Sequence, residues 1–145
     1  MLVSVEELSK TSLYSEIIQR ITRGDQEAAE LQILAAESLV RSYMSRYDND
    51  AIFGTDISEP TYTGAEVELI KKMVKIIASY YLVRLANPNV NIELFRADYE
   101  DALKWLKDLQ SGLVNPNLPY KPDPSVDTVT GGVWYNSLPK QTNFF

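Results

Sequence analysis

Four acidic residues in one short stretch have the spacing of a calcium loop. Counting from Asp48 as the first position, Asp50 is third, Asp56 ninth and Glu59 twelfth, and carboxylates so placed are what a hard cation takes. Ile52 fills the fifth position and Phe53 the sixth, where the sharp turn needs glycine. The stretch therefore reads as a polar loop with two apolar anchors, tucked against the core or a neighbour, and no metal is expected. Asp98 with Asp101, or Glu100 with Asp101, has the chemistry for acid–base work. These residues belong to the charged side of an amphipathic helix, where Glu100 stands in the favourable order for pairing with Lys104. Solvation and pairing are expected of them, not catalysis. The chain has no histidine and no cysteine, which removes thiolate nucleophiles, disulfides, the usual zinc ligands and the commonest proton shuttle at neutral pH. Nor is there a GxSxG elbow, a phosphate-cradling glycine loop or an HExxH pair. The expectation is a non-enzyme without a cofactor.

Tyrosines 43, 47, 80, 81 and 99 could form a stacking platform for nucleic acid, but that use needs aromatics interleaved with basic residues. Here they follow the apolar stripes and are expected to pack in a core or interface. Arg23-Gly24-Asp25 spells a cell-attachment tripeptide; its setting between two periodic segments makes it helix punctuation instead.

The elements that would hold these residues are helical. Ser4 with Glu7 reads as a capping box opening a short first helix. A second follows Ser12 and runs through Ile17, Ile18 and Ile21. The third is expected over Gln26 to Tyr47, with Ala29, Ile33, Ala36, Val40, Tyr43 and Tyr47 as its inner line, broadened by Leu39 and Met44, and with Glu30, Glu37 and Arg41 outside, Glu37 standing in the favourable order to pair with Arg41. After the loop from Asp48 to Tyr62, Thr63 with Glu66 makes a second capping box. The fourth helix starts with Lys71, Lys72 and Lys75 on its polar side and becomes apolar nearly all round at Ile76–Val83, the mark of a central helix. It should stop at Asn87-Pro88. Asn89 or Asn91 then caps a fifth helix, closed by Gly112, whose inner face takes Ile92, Phe95, Tyr99, Ala102, Leu106, Leu109 and Leu113, widened by Leu103 and Trp105.

Past Gly112 the composition changes. Pro116, Pro119, Pro122 and Pro124 favour an extended strap. Val126–Thr130, Gly131-Gly132 and Val133–Tyr135 then have the pattern of a small hairpin, which would need support to be stable. Val129, Val133, Trp134, Tyr135, Phe144 and Phe145 concentrate large apolar groups outside the helices. With Ile52 and Phe53 they are the candidate partner or subunit interface, and the hairpin could add to a partner's sheet edge. The expected architecture is all-α: a compact bundle of about five helices over residues 1–113, and an extended C-terminal arm, with a possible short β-hairpin, over 114–145. A chain cut after Leu113 is expected to keep its helices.

At 145 residues the chain is long enough for one domain that buries about two-thirds of its unfolded surface. Its net charge of −6 disfavours general nucleic-acid binding, while an acidic wall lets DNA pass without adhering. No secretory leader and no membrane span are expected, because Met1–Lys10 lacks a basic start and a long apolar run.

Three segments, in order, resemble the Mu-like phage gene-product-36-like family, related to head–tail connector proteins. They are Ala35 through Tyr47 (AAESLVRSYMSRY), Ile76 through Leu82 (IIASYYL) and Arg96 through Gly112 (RADYEDALKWLKDLQSG). The last is the most specific, with its tyrosine, Ala102, Trp105-Leu106 and closing glycine. The resemblance spans about Val5 to Leu118. It departs in the longer 48–62 loop and in the proline strap. It implies a non-catalytic phage or prophage structural protein: a ring-forming adaptor between portal and tail in the virion, assembled in the host cytoplasm. Its partners would be further copies of itself, the portal protein and tail-completion proteins, with DNA passing through unbound and no membrane involved. The alternative is a monomeric helical module that binds a protein partner through its aromatic tail.

Overall fold

A computed structural model of the chain describes residues 1–85 and 91–123. Six α-helices follow one another: α1 (Val5–Thr11), α2 (Ser15–Thr22), α3 (Gln26–Tyr43), α4 (Asn49–Phe53), α5 (Glu66–Leu85) and α6 (Ile92–Ser111), with no strand among the described residues. The fold is all-α, as the periodicity predicts. The Asn87-Pro88 stop and the hairpin segment lie outside the described residues.

Several helix ends form where the sequence places them. Ser4 Oγ accepts the Glu7 amide at 3.1 Å at the start of α1. Asp25 accepts the amides of Glu27 and Ala28 at the start of α3, and Asn91 that of Glu93 at the start of α6; each satisfies donors that have no partner within the helix. Arg23 and Gly24 share the left-handed turn after α2, with φ of 56° and 82°. Gly112 closes α6 at φ 86°.

Other boundaries differ. Helix α3 stops at Tyr43, short of the expected Tyr47, because the chain tightens into turns in which Met44 N bonds Arg41 O and Tyr47 N bonds Met44 O. Met44 and Tyr47 still reach the core from those turns. The expected 48–62 loop contains a sixth helix, α4, where Asp48 caps the Ala51 amide at 3.0 Å. Helix α5 opens at Glu66 and its first amides bond the carbonyls of Gly64 and Ala65. The Glu66 carboxylate accepts the Tyr62 hydroxyl at 3.0 Å instead of completing a box with Thr63.

The bundle is built on α5, which packs along α3 on one side and α6 on the other. Ile77, Ala78, Leu82 and Val83 are buried on α5, as a centrally placed apolar run requires. They meet Ala29, Ile33, Ala36 and Val40 of α3 and Ala102, Leu106 and Leu109 of α6 in one cluster, which α1 and α2 extend through Leu8, Ile18 and Ile21. Burying a side chain of this size stabilises by about 1.5–3 kcal/mol.

Three side chains sit where the periodicity did not place them. Glu37, expected outside and paired with Arg41, is only 3% exposed; its carboxylate accepts the backbone amides of Leu2 and of Val3, the latter at 3.0 Å. Freed of that pairing, Arg41 donates to Gly54 O at 3.1 Å and lies over the Phe53 ring. Lys75, expected on the polar side of α5, is buried against Glu7, 3.2 Å away. Glu7 also reaches Lys71 at 3.5 Å, so the residue read as half of a capping box ties α1 to α5. Leu113, expected on the inner face of α6, is 80% exposed because Gly112 has already turned the chain.

The first part of the strap is docked on the helices. Asp48 N donates to Pro119 O at 2.8 Å and Lys121 N to Arg46 O at 3.0 Å, an antiparallel bridge centred on Tyr47 and Tyr120. The two rings stack with centroids 5.1 Å apart. Leu118 is buried in the core, and the Tyr62 hydroxyl shares its one proton between the Glu66 carboxylate and Asn117 O, the latter 2.8 Å away. Arg46 donates to Leu109 O at 2.8 Å, placing a cation where the α6 dipole is negative. The helical body therefore includes residues 114–121.

Candidate protein-interaction surfaces

The acidic stretch at 48–59 is used for folding. Asp48 caps α4, and Thr61 N and Tyr62 N both return to Ala51 O. Among the described residues no group of three acidic side chains is placed to hold a metal ion. Ile52 and Phe53 are buried in the core, so neither presents its side chain to another chain. Short α4 is what turns both inward, a correction to their reading as interface residues. Val129, Val133, Trp134, Tyr135, Phe144 and Phe145 lie outside the described residues.

The tyrosines pack on one another. Tyr80 stacks on Tyr99 with centroids 4.4 Å apart, and Tyr81 meets the same ring at 6.0 Å. Burial, reinforced by the neighbouring Tyr99 phenol, pushes the Tyr81 hydroxyl up to about 12. Burial likewise raises Tyr47, helped by Tyr120. Arg84 lies over the Tyr80 ring at 5.6 Å. This cluster seams α5 to α6.

Two surfaces on the described helices are open and partly apolar. The first is a groove of about 710 Å³ between α5 and α6, lined also by Thr11 of α1 and by Ser12, which follows it. Its α5 wall carries Lys72, Lys75 and Ile76, and its α6 wall Phe95, Asp98, Asp101 and Trp105. On both helices these residues recur at spacings of three and four, so each wall is one helical face. Ser79 lines the groove, is 3% exposed, and its hydroxyl has no hydrogen-bond partner among the described residues. Leaving such a group unpaired costs about 1–3 kcal/mol.

The second is the outer face of α3. Leu31 and Leu34 are 55% and 45% exposed, with Ala35, Ser38 and Ser42 exposed on the same face. From Leu31 to Ser42 this face carries no charge, while Glu27 stands exposed one turn before it.

Neither surface is named by the sequence reading, although half the signal was present. Leu31 and Leu34 are apolar residues off the inner line of α3, and that mismatch marks an outward-facing leucine. The groove had no such mark, since Lys72, Asp98 and Trp105 come from separate helices whose pairing only the fold supplies.

No helix among the described residues is long and apolar enough to cross a membrane. No protein-family model, no curated protein and no solved structure matches the chain.

Proposed function

We propose that the chain is a non-catalytic, ring-forming adaptor of a phage or prophage particle, seated at the head–tail joint between portal and tail. The observation that carries this reading is the combination of a closed core with uncovered apolar surface. The bundle buries its own stripes and docks its own strap, yet leaves an uncharged leucine face on α3 and an open groove between α5 and α6. A body of that kind is suited to packing against other bodies. The resemblance of the 35–47, 76–82 and 96–112 segments to connector proteins supplies the particular setting, and the net charge of −6 suits a wall past which DNA slides.

Light scattering behind size-exclusion chromatography tests it. A discrete species of roughly ten or more subunits is expected, since a head-to-tail contact that closes makes a ring. A monomer that also fails to assemble when mixed with a portal protein would favour the rival reading, a helical module that binds one partner through its aromatic tail.

A further inference from the structure

The most exposed large apolar side chain among the described residues is Ile57, 98% exposed at the tip of the loop between α4 and α5. A single exposed isoleucine is ordinary, but this one sits on a loop that holds it still. Thr55 N donates to Ser58 O at 2.9 Å, the Thr55 and Ser58 hydroxyls meet at 2.7 Å, and Ile57 N donates to Thr55 Oγ1 at 3.4 Å. Arg41 pins the base of the loop by donating to Gly54 O. Gly54 stands at φ 77°, and a Cβ there would meet Ser58 O at 2.6 Å, so the closure needs glycine. A side chain held in place beforehand loses little freedom on binding. Asp56 and Glu59 flank it, both exposed and without an ion pair among the described residues. The loop thus presents an aliphatic knob between two anions, which fits an apolar hollow with a cation on its rim.

Such a hollow lies at the other end of α5. Gln32 of α3 with Tyr81, Arg84 and Leu85 of α5 lines a space of about 240 Å³. A cavity of about 150 Å³ already holds benzene, so one isoleucine side chain can enter. Arg84 is exposed, lies over the Tyr80 ring and has no ion pair among the described residues. Its charge is therefore placed at the rim and open to an incoming carboxylate. Ile57 does not line this hollow in its own chain. The loop is pinned to α3 at Arg41, about 14 Å along the helix from Gln32 at 1.5 Å per residue.

We infer that Ile57 of one copy seats in the hollow between α3 and α5 of the next, with Asp56 and Glu59 set against Arg84. This rests on the ring reading and deepens it. Knob and hollow are different patches, so the contact is heterologous, and each copy offers one of each, the condition for a closed ring. The occupant is a second copy because the charges complement: the knob is flanked by anions alone, and the hollow's one charged lining residue is a cation.

The test uses full-length variants altered only at exposed positions, so that folding is kept: a knob variant, I57D, and a hollow variant, R84E. Wild type should self-associate in a concentration-dependent way by analytical ultracentrifugation. Each variant alone should associate more weakly by about tenfold or more, the scale of losing an interface anchor. Mixed together they should form a discrete one-to-one dimer, because the pair retains one intact knob and one intact hollow. Further, D56K with E59K should weaken assembly, and adding R84E to that chain should restore it, which general damage to the fold would not allow. Association untouched by I57D, or a mixture that forms no dimer, would overturn the contact while leaving the ring reading standing. A wild-type chain that stays monomeric at millimolar concentration would overturn it too, whereas the ring reading would fail only if assembly on a portal also failed.

Discussion

A single carboxylate, Glu37, ties the segment before α1 to the bundle. It is buried and accepts two backbone amides. Replacing Glu37 with Leu should cost about 1–3 kcal/mol for each amide left unpaired, read by urea unfolding. Glu37→Gln retains an acceptor oxygen and should lose much less. Tyr81 makes a different prediction. Its hydroxyl is raised from 10.0 to about 12, so the folded chain holds that proton more tightly than the unfolded one. The resulting stabilisation is complete below the unfolded value and lost as pH rises through the folded one. Unfolding free energy should therefore fall between about pH 10 and pH 12, and Tyr81→Phe should flatten part of that slope. Neither residue's role was legible in the sequence. Periodicity marked Glu37 as outward because it is charged, and what reverses that is a segment more than thirty residues away in sequence.

At the scale of elements the sequence was far more readable, because helices announce themselves through spacing and caps that are local. The stripes of α3, α5 and α6 and the caps at Ser4 and Asp25 are legible in the sequence, and the cap at Asn91 as one of two candidates. Leu106 lies at the middle of the α6 stripe and is fully buried. Leu106→Ala should cost about 2–5 kcal/mol in chemical denaturation; a loss too small to measure would mean that α6 is not held on that face. Helix α4 escaped prediction for a physical reason. Five residues are too few to show a period, and an isolated helix of that length has no stability of its own. It exists because Ile52 and Phe53 are drawn into the core and Asp48 supplies the cap.

For the whole molecule the strap decides where the body ends. The expectation that a chain cut after Leu113 keeps its stability rested on the apolar stripes being complete by then. The strap adds the burial of Leu118, the Tyr47–Tyr120 stack and two backbone hydrogen bonds beyond that point. Cutting after Leu113 should thus lower stability, relative to a chain cut after Asp123, by about 1.5–3 kcal/mol for Leu118 alone; equal melting temperatures for the two would mean that the strap is passive. Prolines marked the strap as extended, but its docking is a non-local pairing that no local pattern encodes. The Glu37 clamp has a counterpart effect on the segment that precedes α1. Amides of a segment that lies outside any helix ordinarily trade their hydrogens with solvent within moments. Leu2 and Val3, bonded to a buried carboxylate, should instead take up deuterium on the slow clock of the α3 interior, and an exchange map would show both protected as long as that carboxylate is in place.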